Sequence, residues 1–248
     1  MDFIRYIYRY FRNSFIRFLA LFFAKKLSIG NNALIVSPHP DDEILGCGAL
    51  IKRMNASGKN VSIVFLTKGE NTTPKINKQK LIEARRNLTI RALGLVGQPL
   101  EKVHFLDYED GIVRFNNSET TKLIQLIDNI KPDSIYVTNR YEGWNDHVQA
   151  CNIIEQIAAE KGIKFYEYCV WFWYTMPFKT IFKIQWKNTR YIKMNREERK
   201  AKISAIEIYM RENDPNSGTP YSGALPKILI KSCGWPQEFY FVNLRQNN

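Results

Sequence analysis

From Asn31 onward the chain alternates short apolar runs with longer stretches of helical periodicity. "ALIVSP" (33–38) is an unbroken apolar run, the pattern of a buried strand. "DDEILGCGALIKRMNASG" reads as a helix ending near Gly58, and "NVSIVFLTKGE" (60–70) as a second strand that runs into a polar loop. A helix over 77–95 is closed by Gly97-Gln98-Pro99, and "KVHFLDYEDG" (102–111) begins as a short strand. Residues 118–130 form a helix that Lys131-Pro132 ends, and 133–139 a strand. Residues 145–162 form a helix with Asn145 as its cap, and "IKFYEYCVWFW" (163–173) is strand-like. Strands and helices in alternation with short connections predict βαβ units, a mainly parallel sheet, and ligand sites at the carboxyl ends of its strands. Residues 174–248 mix an aromatic and basic segment, a charged helix (195–211) and the Pro/Gly-rich loop "ENDPNSGTPYSGALP".

Residues 1–30 follow another pattern. No acid occurs after Asp2, and Arg5, Arg9, Arg12, Arg17, Lys25 and Lys26 recur among aromatics. The longest apolar run there, "FLALFFA", is far short of the roughly 20 residues that cross a bilayer. No small-x-small cleavage site follows it, as a signal peptide would require. Phe, Tyr and Arg at helical spacing suit a helix lying in the interface of an anionic membrane; the alternatives are a terminal helix that packs its aromatics on the core and, third, a true anchor or signal. The chain therefore divides into a basic aromatic helix (1–30) and a main domain (31–248).

The 248 residues suffice for one large core. A net charge of +12 favours polyanionic partners without choosing among them. No recognition-helix or RNA-binding motif accompanies it, so nucleic acid is not an expected partner. The four cysteines form no C-x-x-C pair and read as free thiols in a reducing compartment. Cys47, between two glycines, reads as a packing residue.

The chemistry concentrates in "SPHPDDEILGCGAL" (37–50). His39 and Asp42, three apart at a strand-to-helix turn, can face one point above the strand end. An imidazole nitrogen and a carboxylate oxygen are ligands for Zn²⁺ or a similar divalent ion, and a catalytic site usually has three protein ligands. The chain has three histidines. His147 follows the strand "SIYVTN" and starts a helix, as His39 does, and is the third expected ligand; His104 reads as a sheet residue. Asp41 is left as a general base for water, although spacing alone lets Asp41 and Asp42 exchange roles. Glu43 falls in the first helical turn, where negative charge is favoured. The bland alternative for all three acids is a capped helix start. Arg85 and Arg86, in "EARR", could reach an anionic part of a substrate, but read more simply as a solvated helix face.

"PHPDDEILGCGA" resembles the signature of the PIG-L/LmbE-like family of metal-dependent N-deacetylases. "FLTKGE", "ARRNLTIRALGL", "FLDYEDG" and "NDHVQA" resemble that family's further motifs in their expected order, over roughly 31–165. The resemblance implies a Rossmann-like three-layer α/β fold, zinc or iron as cofactor, and removal of the acetyl group from an N-acetylglucosamine-type sugar. It implies His39, Asp42 and His147 as metal ligands and Asp41 as the base, which resolves the Asp41/Asp42 ambiguity. One position departs: three residues before the second metal-binding His the family carries a His that serves as acid or electrostatic partner, and here stands Trp144. Asp41 must then act as both base and acid, or Glu142 or Tyr141 must substitute. Asp146 can orient a ligand through a hydrogen bond.

With a basic aromatic N-terminus beside it, such an enzyme would take a lipid-linked or nucleotide-linked N-acetylated sugar in glycan or surface-polysaccharide biosynthesis. Its expected place is the cytoplasm, peripheral on the inner membrane face. From another class, Trp144 supports a catalytically weak or inactive glycan- or lipid-binding protein on the same fold.

Overall fold

The computed structural model describes residues 3–115 and 118–242. Residues 1–2, 116–117 and 243–248 of the two expected units lie outside the described residues. The chain opens with helix α1 (Phe3–Phe23) and the two-residue strand β1 (Lys25–Lys26). Then β2 (Asn32–Ser37), α2 (Asp42–Ala56), β3 (Asn60–Phe65), α3 (Lys78–Leu95), β4 (Val103–Phe105), α4 (Ser118–Ile130), β5 (Ser134–Thr138), α5 (Asn145–Lys161) and β6 (Lys164–Tyr168) alternate. The C-terminal part adds α6 (Phe172–Thr175), β7 (Thr189–Lys193), α7 (Arg196–Arg211), α8 (Lys227–Cys233) and β8 (Gln237–Val242).

Among the described residues the strands form one sheet in the order β1-β7-β8-β6-β5-β2-β3-β4. It is parallel except where β8 pairs antiparallel with β6 and with β7. Alternate residues of each strand feed two cores, because successive side chains point to opposite faces. Ala33, Ile35, Ile63, Phe65, Tyr136 and Tyr168 pack in one cluster with α2, α3 and α7. Leu34, Val36, Val64, Ile135, Val137 and Phe165 pack in the other with α4 and α5. The result is the expected three-layer α/β fold.

The chain runs outward from β2 through β3 to β4, then returns to lay β5 on the other side of β2. The carboxyl ends of β2 and β5 therefore flank the point where strand order reverses, the usual place for a ligand crevice in such sheets. Gly46 lets α2 sit close over that end: a Cβ there would lie 2.2 Å from Cδ2 of Tyr168. The Tyr168 hydroxyl in turn donates to the Val36 carbonyl at 3.0 Å.

Two expected strands are shorter than their apolar runs. β4 covers only Val103–Phe105. The run 163–173 stays extended only to Tyr168, because the Val170 N–H goes to the Glu142 carboxylate (2.5 Å) instead of a ladder partner. The next residues close into α6 around the Trp171 carbonyl, which accepts from Tyr174 and Thr175. The charged helix forms as α7, with Asn195 and Glu198 making a reciprocal capping box. The antiparallel pairing of β7 with β8 carries no local signal strong enough to predict it.

Candidate active site

The turn after β2 is held from several sides. Ser37 Oγ donates to the His39 carbonyl (2.7 Å), and Arg85 Nη2 donates to the Pro40 carbonyl (2.6 Å). The Asp41 N–H donates to Glu43 Oε2 (2.9 Å), and Tyr209 donates to Glu43 Oε1 (2.7 Å). Asp41 itself has φ 123°, a conformation that costs a non-glycine residue roughly 1–3 kcal/mol. The braces hold it there and aim its carboxylate into the cavity rather than at the helix: Asp41 makes no capping bond to α2. The capped-helix alternative thus fails for the residue at the cap position. Burial pushes Glu43 up to about 8, against the bonds from Tyr209 and the Asp41 N–H, so it is a neutral brace near pH 7 rather than a first-turn charge.

Arg85 is 2% exposed, so the expectation that both arginines of "EARR" are solvated holds only for Arg86, which lies over the Phe105 ring. Besides Pro40, Arg85 donates to Thr72 Oγ1 and the Tyr221 carbonyl, and its Nη2 lies 3.6 Å from Asp41. Gly69 makes room for it: a Cβ there would lie 2.5 Å from Arg85 Nε. The two weak motifs "TKGE" and "ARRN" are thereby one structural device.

His39, Asp42 and His147 converge as the spacing predicts. His39 Nδ1 lies 3.2 Å from His147 Nε2, and each lies 3.3 Å from Asp42 Oδ2. The far ring nitrogens are engaged: His147 Nδ1 with Glu142 (2.7 Å), His39 Nε2 with Asp110 and Asp146 (3.1 Å each). Protons held on those far nitrogens leave lone pairs on the two that face each other. Two lone pairs and a carboxylate oxygen at this separation repel unless a cation lies among them. Bonds of about 2.0–2.1 Å in tetrahedral geometry require donor spacings of about 3.3 Å, so the three atoms fit a divalent ion. The second His39 cluster, with Asp110 and Asp146, is already spent on the protein. Asp146 accepts from the N–H groups of Gly111 and Val113, and Asp110 from that of Asn71.

The carboxylates draw positive charge to this point, whether as a proton on an imidazole or as a cation among the donors. Burial alone would lower both histidines, but the carboxylates outweigh it. Asp42 and Glu142 push His147 up to about 9, and Asp110, Asp146 and Asp42 raise His39 well above its usual value. Asp42 is held low against burial by the two imidazoles. Asp41 is pushed up to about 7, chiefly by burial, with Arg85 opposing and Asp42 assisting.

These groups floor a cavity of about 440 Å³. Trp144, half exposed, and Trp171 stand on one wall with ring centroids 5.2 Å apart. The Pro/Gly-rich loop adds Ser222 and Leu225; the Ser222 hydroxyl is buried and has no partner. Of the residues singled out from sequence, His39, Asp41, Asp42, Arg85, Trp144, Asp146 and His147 line the cavity. Glu142 and Tyr141 do not. Glu142 is fully buried behind His147, and its oxygens are taken by that ring and by Val170, so it cannot replace the missing acid. Sequence reasoning missed Asp110, although "EDG" at the end of the β4 segment was a signal, and missed Trp171 and Ser222, which had none.

Comparison with known proteins bears on this geometry. The family described as GlcNAc-PI de-N-acetylase (PIG-L) matches residues 34–158, half of the chain, from β2 into α5. The chain belongs to the PIG-L family. A diacetylchitobiose deacetylase from Thermococcus kodakarensis is 28% identical over 122 residues, 47% of this chain and 45% of that protein. The chain spans about half the length of the curated relatives it matches. The N,N'-diacetylchitobiose deacetylase of Pyrococcus horikoshii superposes with a TM-score of 0.61 at 19% identity, covering 87% of this chain and 82% of that one. A 4-carboxy-2-hydroxymuconate hydratase from Pseudomonas putida does so at 0.58 and 18%, covering 74% and 80%. Likeness at that identity is one of fold, and the PIG-L fold alone does not choose the reaction.

Proposed function

We propose that this PIG-L family chain is a metal-dependent N-deacetylase that hydrolyses the acetamido group of an N-acetylglucosamine-type sugar. The observation that carries the reading is the uncapped Asp41 carboxylate facing the cavity beside three convergent donor atoms. His39, Asp42 and His147 would hold the ion, and two imidazoles with one carboxylate suit zinc first and iron(II) second. When bound, such an ion supplies Lewis acidity to a carbonyl oxygen and acidifies water.

Asp41 accepts a proton from water as the water oxygen bonds to the acetamide carbon. The same carboxyl then returns the proton to the sugar nitrogen as the C–N bond breaks, leaving acetate and a free amine. With Trp144 in place of a histidine and Glu142 sealed behind His147, one group serves both steps. Burial raises the proton affinity of Asp41, which suits a group that accepts and then returns a proton. Trp144 and Trp171 offer flat apolar faces to the sugar ring. The sugar is carried on a lipid or a nucleotide and is met at the inner membrane face, in glycan or surface-polysaccharide assembly.

The test is metal content of the purified protein together with acetate release from N-acetylated sugars, for the wild type, Asp41→Asn and His147→Ala. About one zinc or iron per chain, lost with His147, and turnover lost with Asp41 while metal stays, supports the assignment. Full activity in Asp41→Asn overturns it. The half-exposed Trp144 favours one second reading, a glycan-binding protein without turnover; chelator-insensitive sugar binding with no acetate released would establish that instead.

A further inference from the structure

Helix α1 buries arginine and asparagine and exposes its aromatics. Its polar residues face the protein: Arg12 and Asn13 are buried. Arg12 donates to the carbonyls of Trp173 (2.6 Å), Tyr174 (3.1 Å) and Met176 (3.2 Å). These lie at the carboxyl end of α6, where helical carbonyls lack partners. Asn13 donates to Ser232, and Arg17 to Gln237. Arg9 lies over the Tyr174 ring and Arg17 over Trp235. Ile16 and Ala20 are buried in the core beside them, but the large aromatics face outward with Ile4: Ile4 is 79% exposed, Phe11 67%, Phe18 61% and Phe22 71%. The large aromatics therefore do not pack on the core, which speaks against the reading of residues 1–30 as a helix that buries them. Phe178 and Phe182, edge-to-face with ring centroids 5.8 Å apart and also exposed, follow shortly after the Met176 carbonyl that Arg12 holds.

An apolar face of this extent marks an interaction surface. Its surroundings are basic. Arg5, Lys25, Lys26, Lys179, Lys183 and Lys187 are exposed, and residues 3–30 contain no acid. A second copy of this chain would bring the same positive charge against it, whereas anionic headgroups would neutralise it. Among the described residues no helix is long and apolar enough to cross a membrane.

We infer that the outward face of α1, with Phe178 and Phe182, docks on the surface of an anionic lipid bilayer, the helix lying in the interface. The face is tied to the catalytic cavity. Arg12 holds the end of α6, and Trp171, which precedes α6, packs edge-to-face with Trp144 in the cavity wall and with Tyr174. Docking thus presents the cavity to an acetamido sugar anchored in the same bilayer; this last step rests on the deacetylase reading, the docking itself does not.

Co-sedimentation of the full chain with phosphatidylcholine vesicles, with and without about 30% phosphatidylglycerol, tests it. The wild type should pellet with the anionic vesicles and be released several-fold by about 0.5 M salt. A variant with Phe11, Phe15, Phe18 and Phe22 changed to Ser should keep its melting temperature and metal content yet bind at least about ten-fold more weakly. Should that variant misfold, Phe178→Ser with Phe182→Ser gives the same reading from outside α1. Wild type that stays in solution with both vesicles, variants that bind as it does, or a dimer that the substitutions dissociate would each overturn the proposal. Acetate release from a water-soluble N-acetyl sugar reports separately: release without vesicle binding removes the docking and keeps the deacetylase, and binding without release does the reverse.

Discussion

The carboxyl end of the sheet and the outer face of α1 break the same rule in opposite directions. At the strand ends, carboxylates and imidazoles are gathered inward around the cavity, most of them buried. On α1, phenylalanines are spread outward while arginines turn in. Burying charge and exposing large apolar groups both cost free energy that folding alone would not retain. The two regions differ in what compensates. In the cavity the carboxylates and imidazoles are held by partners within the protein on their outer sides, and three donor atoms meet with none between them. On α1, the protein engages Arg9, Arg12 and Arg17 and leaves the aromatics exposed. In both places the unmet requirement is what the proposals rest on, a cation in one and an apolar, anionic surface in the other.

The harshest test of that comparison removes a donor. His147→Ala takes away Nε2 and leaves the buried Glu142 carboxylate facing a gap. Bound metal should fall to background, and acetate release by at least about 10³-fold, the scale of several kcal/mol of lost charge stabilisation. Metal analysis of the variant beside the wild type decides it; retained metal would mean that the His39 cluster with Asp110 and Asp146 holds the ion. Asp41→Asn separates chemistry from binding. It should keep about one ion per chain and lose about 10²–10⁴-fold in kcat, the range for a positioned acid–base group. Glu142→Gln reaches the same ion through one more bond. It weakens the acceptor that fixes the His147 ring, so metal affinity should drop about 10–100-fold in a chelator competition. An unchanged affinity would leave Glu142 as no more than the clasp on Val170.

What was legible beforehand follows the same division. His39, Asp41 and Asp42 could be read because they are adjacent in sequence and follow a buried strand, so short-range geometry fixes their convergence. His147 could be read because β5 and α5 repeat that strand-to-helix setting. Arg85 was misjudged because a helix pattern says nothing of what packs on it; its burial depends on Gly69, Pro40 and Tyr221, brought in from three separate loops. Ser222 and Trp171 entered the cavity through a long loop and a strand cut short by Glu142, neither of which carries a local signal. The end of β6 was missed for the same reason. For α1, periodicity revealed two faces but not which of them looks outward. The residues that decide it, the carbonyls at the end of α6, lie more than a hundred positions away.

That orientation yields the smallest and sharpest contrast. Arg12→Leu removes the donor to three carbonyls at the carboxyl end of α6 and puts an aliphatic chain among them. Orphaned buried acceptors cost about 1–3 kcal/mol each at most, partly recovered by water, so a net loss near 2 kcal/mol is expected. In a domain of this size that lowers Tm by about 4–8 °C. Phe11→Ser, one position away, should change stability by no more than about 0.5 kcal/mol, because Phe11 is exposed and its loss creates no cavity. Thermal melts of the two variants, without lipid, measure the difference directly. If Phe11→Ser were the more damaging, the aromatic face would be packed against the protein after all, and the opposition between the two regions would collapse. If Arg12→Leu alone is damaging, the polar side of α1 holds the helix to the protein, and its apolar side is free for another purpose.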